Sequence, residues 1–174
     1  MKILGITDGV VSGAAVIKDG RILAAVNEER LIRQKMAIGF PEASIDEVLK
    51  LSGLKPGDID AVAVATHDEH FRRPAAFFKG WFNDKRGFLK KAQMGLSSWI
   101  VTLLGAGQWV QSFYYFLRLP AALKRKKAVR EALGRKWGFS CPVVFVDHHD
   151  SHAAGAYYTS GFRDATVISI DGGM

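Results

Sequence analysis

A single cysteine, Cys141, in 174 residues leaves no partner for an internal disulfide, and a reducing, cytoplasmic setting follows as the default. Cys141 stands before Pro142 at a strand entry with no base near it in sequence, the setting of a buried structural thiol and not of a nucleophile. A secretion signal is missing too, because the apolar start Met1-Lys2-Ile3-Leu4-Gly5-Ile6 is interrupted at Asp8. There is no internal repeat and no low-complexity tract. With 48% hydrophobic residues the chain is not globally disordered, and its length suits one domain or one domain with an insertion.

Acidic residues are scarce in the middle. Between Arg72 and Lys136 only Asp84 and Glu131 stand against fifteen Lys and Arg, so this stretch carries +13 and the remainder −6. The formal net charge of +7 is therefore the property of one region, a distinct element laid into an acidic domain. Inside it, residues 92–117 contain no charge over twenty-six positions, with Lys90-Lys91 before them and Arg118 after. Length alone would let such a run span a bilayer, but Gln93, Ser97, Ser98, Gln108, Gln111, Ser112 and three glycines dilute it. Trp99, Trp109, Tyr114 and Tyr115 between basic flanks suit contact with a membrane surface, and a location peripheral to the membrane is one expectation. A helical cover over an active site is the competing one. Beyond Pro120, residues 121–133 read as a basic helix ended by Gly134. Its run Lys124-Arg125-Lys126-Lys127 is a poor signal for nucleic acid, since no base-reading module accompanies it.

What is present at the two ends is an α/β pattern. Residues 2–7, 12–18 and 21–27 read as three successive strands, the last two joined at Asp19-Gly20, a strong hairpin signal. From Ser44, the positions Ile45, Val48 and Leu49 predict an amphipathic helix ended by Gly53, with Pro56 just beyond. Residues 60–66, 142–146 and 165–170 read as further strands, and the succession implies a mixed sheet.

Three of the five histidines fall in Asp147-His148-His149-Asp150-Ser151-His152-Ala153-Ala154, at the junction from strand to helix. In a helix starting near Asp147, His148 and His152 are four residues apart and share a face, the spacing that gives one metal ion two imidazole ligands. Asp171, at a later strand end, is a candidate to complete the cluster. The bland alternative is a chance pair on a solvated helix; the small residues Ala153, Ala154, Gly155 and Ala156, which permit close packing, favour the metal. His149 faces elsewhere and reads as a supporting residue. Asp8-Gly9 and Asp171-Gly172-Gly173 are Asp-Gly turns at strand ends, which together fit a phosphate-binding cleft and singly fit ordinary turns. The charged run from Glu28 to Lys35 is ordinarily solvated. Here it follows a buried strand and is closed by Gly39-Phe40-Pro41, so Glu28, Arg30 and Lys35 become candidates for binding a substrate's charged groups.

These pieces together resemble the O-carbamoyltransferases that decorate nodulation factors, antibiotics and other glycans. The likeness is carried by Ile3-Leu4-Gly5-Ile6-Thr7-Asp8-Gly9, Ala14-Ala15, Lys18-Asp19-Gly20, Asn27-Glu28-Glu29-Arg30 through Arg33, Lys35 and Gly39-Phe40-Pro41. At the other end it is carried by Asp147-His148-His149, Ser151-His152-Ala153-Ala154, Ala156-Tyr157-Tyr158 and Asp171-Gly172. The resemblance implies an actin-like, sugar-kinase-like ATPase (ribonuclease-H-like) fold, of which this chain is the N-terminal half. Its parts are then 1–71, a basic helical insertion at 72–140, and a return to the domain at 141–174. The resemblance also implies a C-terminal domain that makes carbamoyl adenylate from ATP and carbamoyl phosphate, and an N-terminal domain that passes the carbamoyl group to an acceptor hydroxyl. By the same likeness His148, His152 and Asp171 are ligands of iron or a similar divalent metal at the adenylate phosphate, with Gly172 and Gly173 beside that phosphate. Asp8 and Gly9 are then near a small-molecule or glycan acceptor.

Two departures stand out. Many members carry a histidine shortly after the Asp-Gly turn to take the acceptor's proton, whereas this chain has Val10 and Val11, and valine is no base. The sequence stops at Met174, just after the last Asp-Gly turn, which makes an N-terminal fragment with an exposed sheet edge the expectation. Rival readings are carbamoyl transfer to transfer RNA by a relative of the fold, a non-catalytic membrane-surface or scaffold protein, and a sugar kinase. The histidine pair argues against the last.

Overall fold

Two hairpins need alternating inward apolar residues and turns that twist the right way, and the first 27 residues supply both. The computed structural model describes residues 1–9, 11–65, 76–77 and 108–170, and places β1 at Lys2–Thr7, β2 at Gly13–Lys18 and β3 at Arg21–Asn27. β2 is antiparallel to both neighbours, pairing Lys2↔Lys18 to Thr7↔Gly13 with β1 and Gly13↔Asn27 to Lys18↔Arg21 with β3. Only Asp19 and Gly20 close the second hairpin, at φ of 49° and 78°, the two-residue turn that matches strand twist. At the opposite end a Cβ on Gly13 would lie 2.7 Å from the Val26 carbonyl oxygen, so the close approach of β2 and β3 there depends on glycine.

β5 (Ala61–Ala65) pairs parallel with β1, and β7 (Val143–Val146) parallel with β5, giving a five-stranded mixed sheet in the order β3-β2-β1-β5-β7. The α/β pattern expected from sequence is thus observed. Since β3 is antiparallel to a strand that is antiparallel to β1, strands β1, β3, β5 and β7 all run one way and their C-terminal ends share one edge. A short second sheet pairs β4 (Ala37–Ile38) with β6 (Ala76–Phe77).

Four α-helices lie among the described residues: α1 (Glu28–Ile32), α2 (Glu42–Ser52), α3 (Gln108–Trp137) and α4 (His148–Ser160). α2 buries Ile45, Val48 and Leu49 and ends at Gly53 (φ 66°), whose N–H donates to the Leu49 and Lys50 carbonyls, as the stripe and its glycine predict. That stripe shares one core with Leu4, Val16, Val62 and Val64 from the sheet and Val129, Ala132 and Leu133 from α3. Each such Val, Leu or Ile side chain contributes about 1.5–3 kcal/mol by leaving water. Lys136 Nζ donates to Glu42 (3.2 Å) and Asp46 (2.9 Å), and the Trp137 indole donates to Asp46. Burial works against the Lys136 charge, but the two carboxylates outweigh it and hold the ammonium above the usual lysine range.

Two elements differ from the sequence reading. The basic helix neither begins after Pro120 nor stops at Gly134; α3 runs through both and turns at Gly138 (φ 71°), whose N–H donates to the Gly134 carbonyl. Gly134 costs a helix only about 1 kcal/mol, less than the burial of Leu133 and the docking of Lys136 and Trp137 offset. Residues 165–170 form no strand, because among the described residues nothing pairs with their backbone; Ile168 and Ile170 stand 77% and 90% exposed.

The chain divides into two compact units, Met1–Phe78 with Arg125–Met174, and Lys79–Lys124. Residues 125–140, drawn from sequence as the end of the insertion, therefore belong to the first unit, with Val129, Ala132 and Leu133 in its core. In the second unit residues 108–124 are helical. No helix among the described residues is long and apolar enough to cross a membrane, and residues 92–107 of the uncharged run lie outside the described ones.

Candidate functional site

The shared C-terminal edge of β1, β3, β5 and β7 collects four of the candidate residues: Asp8 and Gly9 follow β1, Glu28 follows β3, and His148 follows β7 after Asp147. Such an edge is where open α/β sheets bind ligands, because chain turns there leave backbone groups facing a crevice.

Asp8 is 1% exposed, and its Oδ1 accepts from Arg125 Nη2 at 2.5 Å, the guanidinium being 3% exposed. The two residues are 117 apart in sequence, and Arg125 is one of four consecutive basic residues, Lys124 to Lys127. One signal was available: Arg125 lies four residues before Val129 and seven before Ala132, on the stripe that α3 buries. Gly9 is buried beside Asp8. The turn continues through Val11 at φ 58°, a conformation strained for a β-branched residue. Ser12 anchors it by donating its N–H to the Ala37 carbonyl at 2.9 Å and its hydroxyl to the same oxygen at 3.3 Å. Val10 itself lies outside the described residues.

Glu28, Arg30 and Lys35 are not brought together. Glu28 is 2% exposed, and its carboxylate accepts from the backbone N–H of Ala43 and Ser44 and from the Ser44 hydroxyl, at 3.1, 2.7 and 2.6 Å. It thus caps the start of α2, where unpaired N–H groups and the helix dipole favour a negative charge. Arg30 is 80% exposed and lies 3.8 Å from Glu29, and Lys35 is exposed.

The histidines are brought together. Asp147 caps α4 by accepting from the His149 N–H at 2.8 Å and, at 3.4 Å, from that of Asp150, which fixes the first turn. His148 and His152 then stand one turn apart on one face with their Nε2 atoms 3.2 Å apart and rings nearly perpendicular. That separation is what two imidazole nitrogens show when each stands about 2.0–2.1 Å from one ion, so the pair fits a divalent metal. His149 turns away, its Nδ1 3.0 Å from the Ser169 hydroxyl. Among the described residues no group of three His, Cys, Asp or Glu could hold a metal; Asp171, Gly172 and Gly173 lie outside them. Burial pushes the Cys141 thiol up, and Cys141 packs against the core as a structural residue should.

Residues 2–173 match the family model described as carbamoyltransferase N-terminus. An uncharacterized protein of Synechocystis sp. (strain ATCC 27184 / PCC 6803 / Kazusa) is 34% identical over 161 residues, 92% of this chain and 23% of that protein. Nodulation protein NolNO of Sinorhizobium fredii (strain NBRC 101917 / NGR234) is 29% identical over 165 residues, 92% of this chain and 19% of that protein. An uncharacterized protein of Methanocaldococcus jannaschii is 27% identical over 171 residues, 98% of this chain and 22% of that protein. The chain therefore spans about a fifth of the length of these relatives.

Proposed function

This chain belongs to the carbamoyltransferase N-terminus family, and on that premise we propose that it is the acceptor-side N-terminal part of an ATP-dependent O-carbamoyltransferase. The fold is then actin-like, of the ribonuclease-H-like type, a reading supported by the sheet order β3-β2-β1-β5-β7 with its antiparallel first half and parallel second half. In this reading a domain beyond this chain makes carbamoyl adenylate from ATP and carbamoyl phosphate. Transfer joins the acceptor's hydroxyl oxygen to the carbamoyl carbon. The bond from that carbon to the adenylate oxygen breaks, AMP leaves, and a base takes the hydroxyl proton.

With valine at positions 10 and 11, Asp8 is the carboxylate we assign to that proton, and Arg125 balances its charge and fixes its direction. His148, His152 and Asp171 would hold iron or a similar divalent metal, which when bound supplies Lewis-acid charge to the adenylate phosphate. Gly172 and Gly173 offer backbone N–H groups to the same phosphate. Asp147 and the α4 helix keep the two imidazoles aimed at one point. The acceptor is a glycan, an antibiotic or a similar metabolite.

The observation that carries the metal reading is the 3.2 Å separation of the two Nε2 atoms. The test uses the full-length gene product that contains this chain. With ATP and carbamoyl phosphate it is expected to release pyrophosphate only when both are present, and to contain a divalent metal that the double variant H148A/H152A lacks. Metal-replete protein without carbamoyl-phosphate-dependent pyrophosphate release would sink the transferase reading; full metal content in the double variant would sink the metal site.

A further inference from the structure

We propose that Lys126 and Arg130, set over the Phe145 ring near the C-terminal edge of the sheet, form a binding site for a phosphoryl-type anion, with the Asp8–Arg125 pair holding them in register. This site uses neither histidine and does not depend on carbamoyl transfer.

One stripe of α3 is buried. Val129, Ala132 and Leu133 enter the core, and one turn earlier on the same stripe stands a charge, Arg125, 4% exposed and bound to Asp8. A buried ion pair is poor evidence for stability, since apolar replacements of similar volume are often neutral or better; its attested use is to fix register. Fixing Arg125 on Asp8 fixes its neighbours. Lys126 Nζ lies 5.3 Å, and the Arg125 and Arg130 guanidinium carbons 5.6 and 5.5 Å, from the centroid of Phe145.

One cation would suffice to cover this ring. Three like charges around it repel one another, and Lys126 and Arg130 at i, i+4 are themselves an unfavourable pair. Charge compensation is uneven along the helix. Arg125 has Asp8, while Lys127 and Arg135 both have Glu131 (3.9 and 2.9 Å); among the described residues Lys126 and Arg130 form no ion pair. Phe145 is the penultimate residue of β7, which leads directly to Asp147 and His148, so the uncompensated pair sits at the ligand-binding edge. A guanidinium that can grip two oxygens beside a lysine point charge is the pairing that recognises phosphate.

The experiment titrates inorganic phosphate, then pyrophosphate, into the 174-residue chain at low ionic strength, followed by amide and side-chain NMR shifts. Saturable shifts at 125–130 and at Phe145 are expected, weakened about tenfold or more in K126A/R130A and by less than about twofold in K127A, whose lysine already has Glu131. Both variants alter partly exposed or exposed side chains, and unchanged spectral dispersion elsewhere certifies the fold. A parallel titration with carbamoyl phosphate assigns the source: binding tighter than inorganic phosphate marks a substrate's phosphoryl group, and equal binding marks a free anion. The proposal is overturned by non-saturable shifts, by binding that survives in K126A/R130A, or by equal losses in K126A/R130A and K127A, which would reveal only diffuse positive charge.

Discussion

α2 and α4 are helices of 11 and 13 residues, each ending at a left-handed glycine, Gly53 at φ 66° and Gly161 at φ 77°. They are nevertheless opposite kinds of element. α2 buries Ser44, Ile45, Val48 and Leu49, and its amphipathic stripe meets the sheet and α3. α4 buries no residue at all, and Tyr158 on it is 81% exposed. A helix that buries a stripe is held by the core, whereas one that buries nothing depends on its cap and on whatever binds its side chains. The residues with metal-binding chemistry lie on the second kind.

Side-chain truncation separates the two helices by the largest margin. Ile45→Ala in α2 is expected to destabilise the chain by about 2–5 kcal/mol, while Tyr158→Ala in α4 stays within about 0.5 kcal/mol. Chemical denaturation of both variants reads this out, and equal effects would end the distinction. Caps give the next test. Asp147→Ala removes the contacts to the His149 and Asp150 N–H groups and is expected to cost about 1 kcal/mol, yet because α4 buries none of its residues its larger effect should be a measurable loss of divalent-metal affinity at His148 and His152. Glu28→Ala, which uncaps α2, should lower stability by about 1–3 kcal/mol and leave metal affinity alone. The smallest effect concerns pH. Lys136 has its folded value raised, so its contribution is full below the ordinary lysine range and is lost as pH rises through the folded value. Since the pair with Asp46 is partly exposed, that contribution is at most about 1 kcal/mol. Lys136→Met should therefore flatten the alkaline limb of a stability-versus-pH curve and scarcely alter it near neutrality.

How far the sequence could be read follows from the range of the forces involved. The first three strands, the Asp19-Gly20 turn, α2 with its Gly53 stop and the shared face of His148 and His152 are written in local periodicity and turn chemistry. They match the structure. Membership of the family was legible as well, through motifs at both ends of the chain. What local pattern cannot hold is a partner far away. Arg125 is in sequence one of four consecutive cations, and only a contact 117 residues distant sets it apart by placing it against Asp8. Glu28 looked like a ligand-binding group, and only the arrival of α2 shows its carboxylate occupied by Ala43 and Ser44. Gly134 failed to end α3 because Lys136 and Trp137 find partners on α2, and residues 165–170 have strand composition without a strand to pair with.

The Asp8–Arg125 pair also has a bearing on synthesis. A ribosome adding about 5–20 residues per second makes Asp8 roughly 6–25 s before Arg125, and Val129 and Leu133 later still. During that interval the N-terminal hairpins exist without Arg125 and without the helix whose Val129 and Leu133 share their core. Completion of the native sheet is thus deferred until α3 (Gln108–Trp137) and β7 (Val143–Val146) have emerged, and a destabilised hairpin would be exposed to chaperones and proteases for that whole interval.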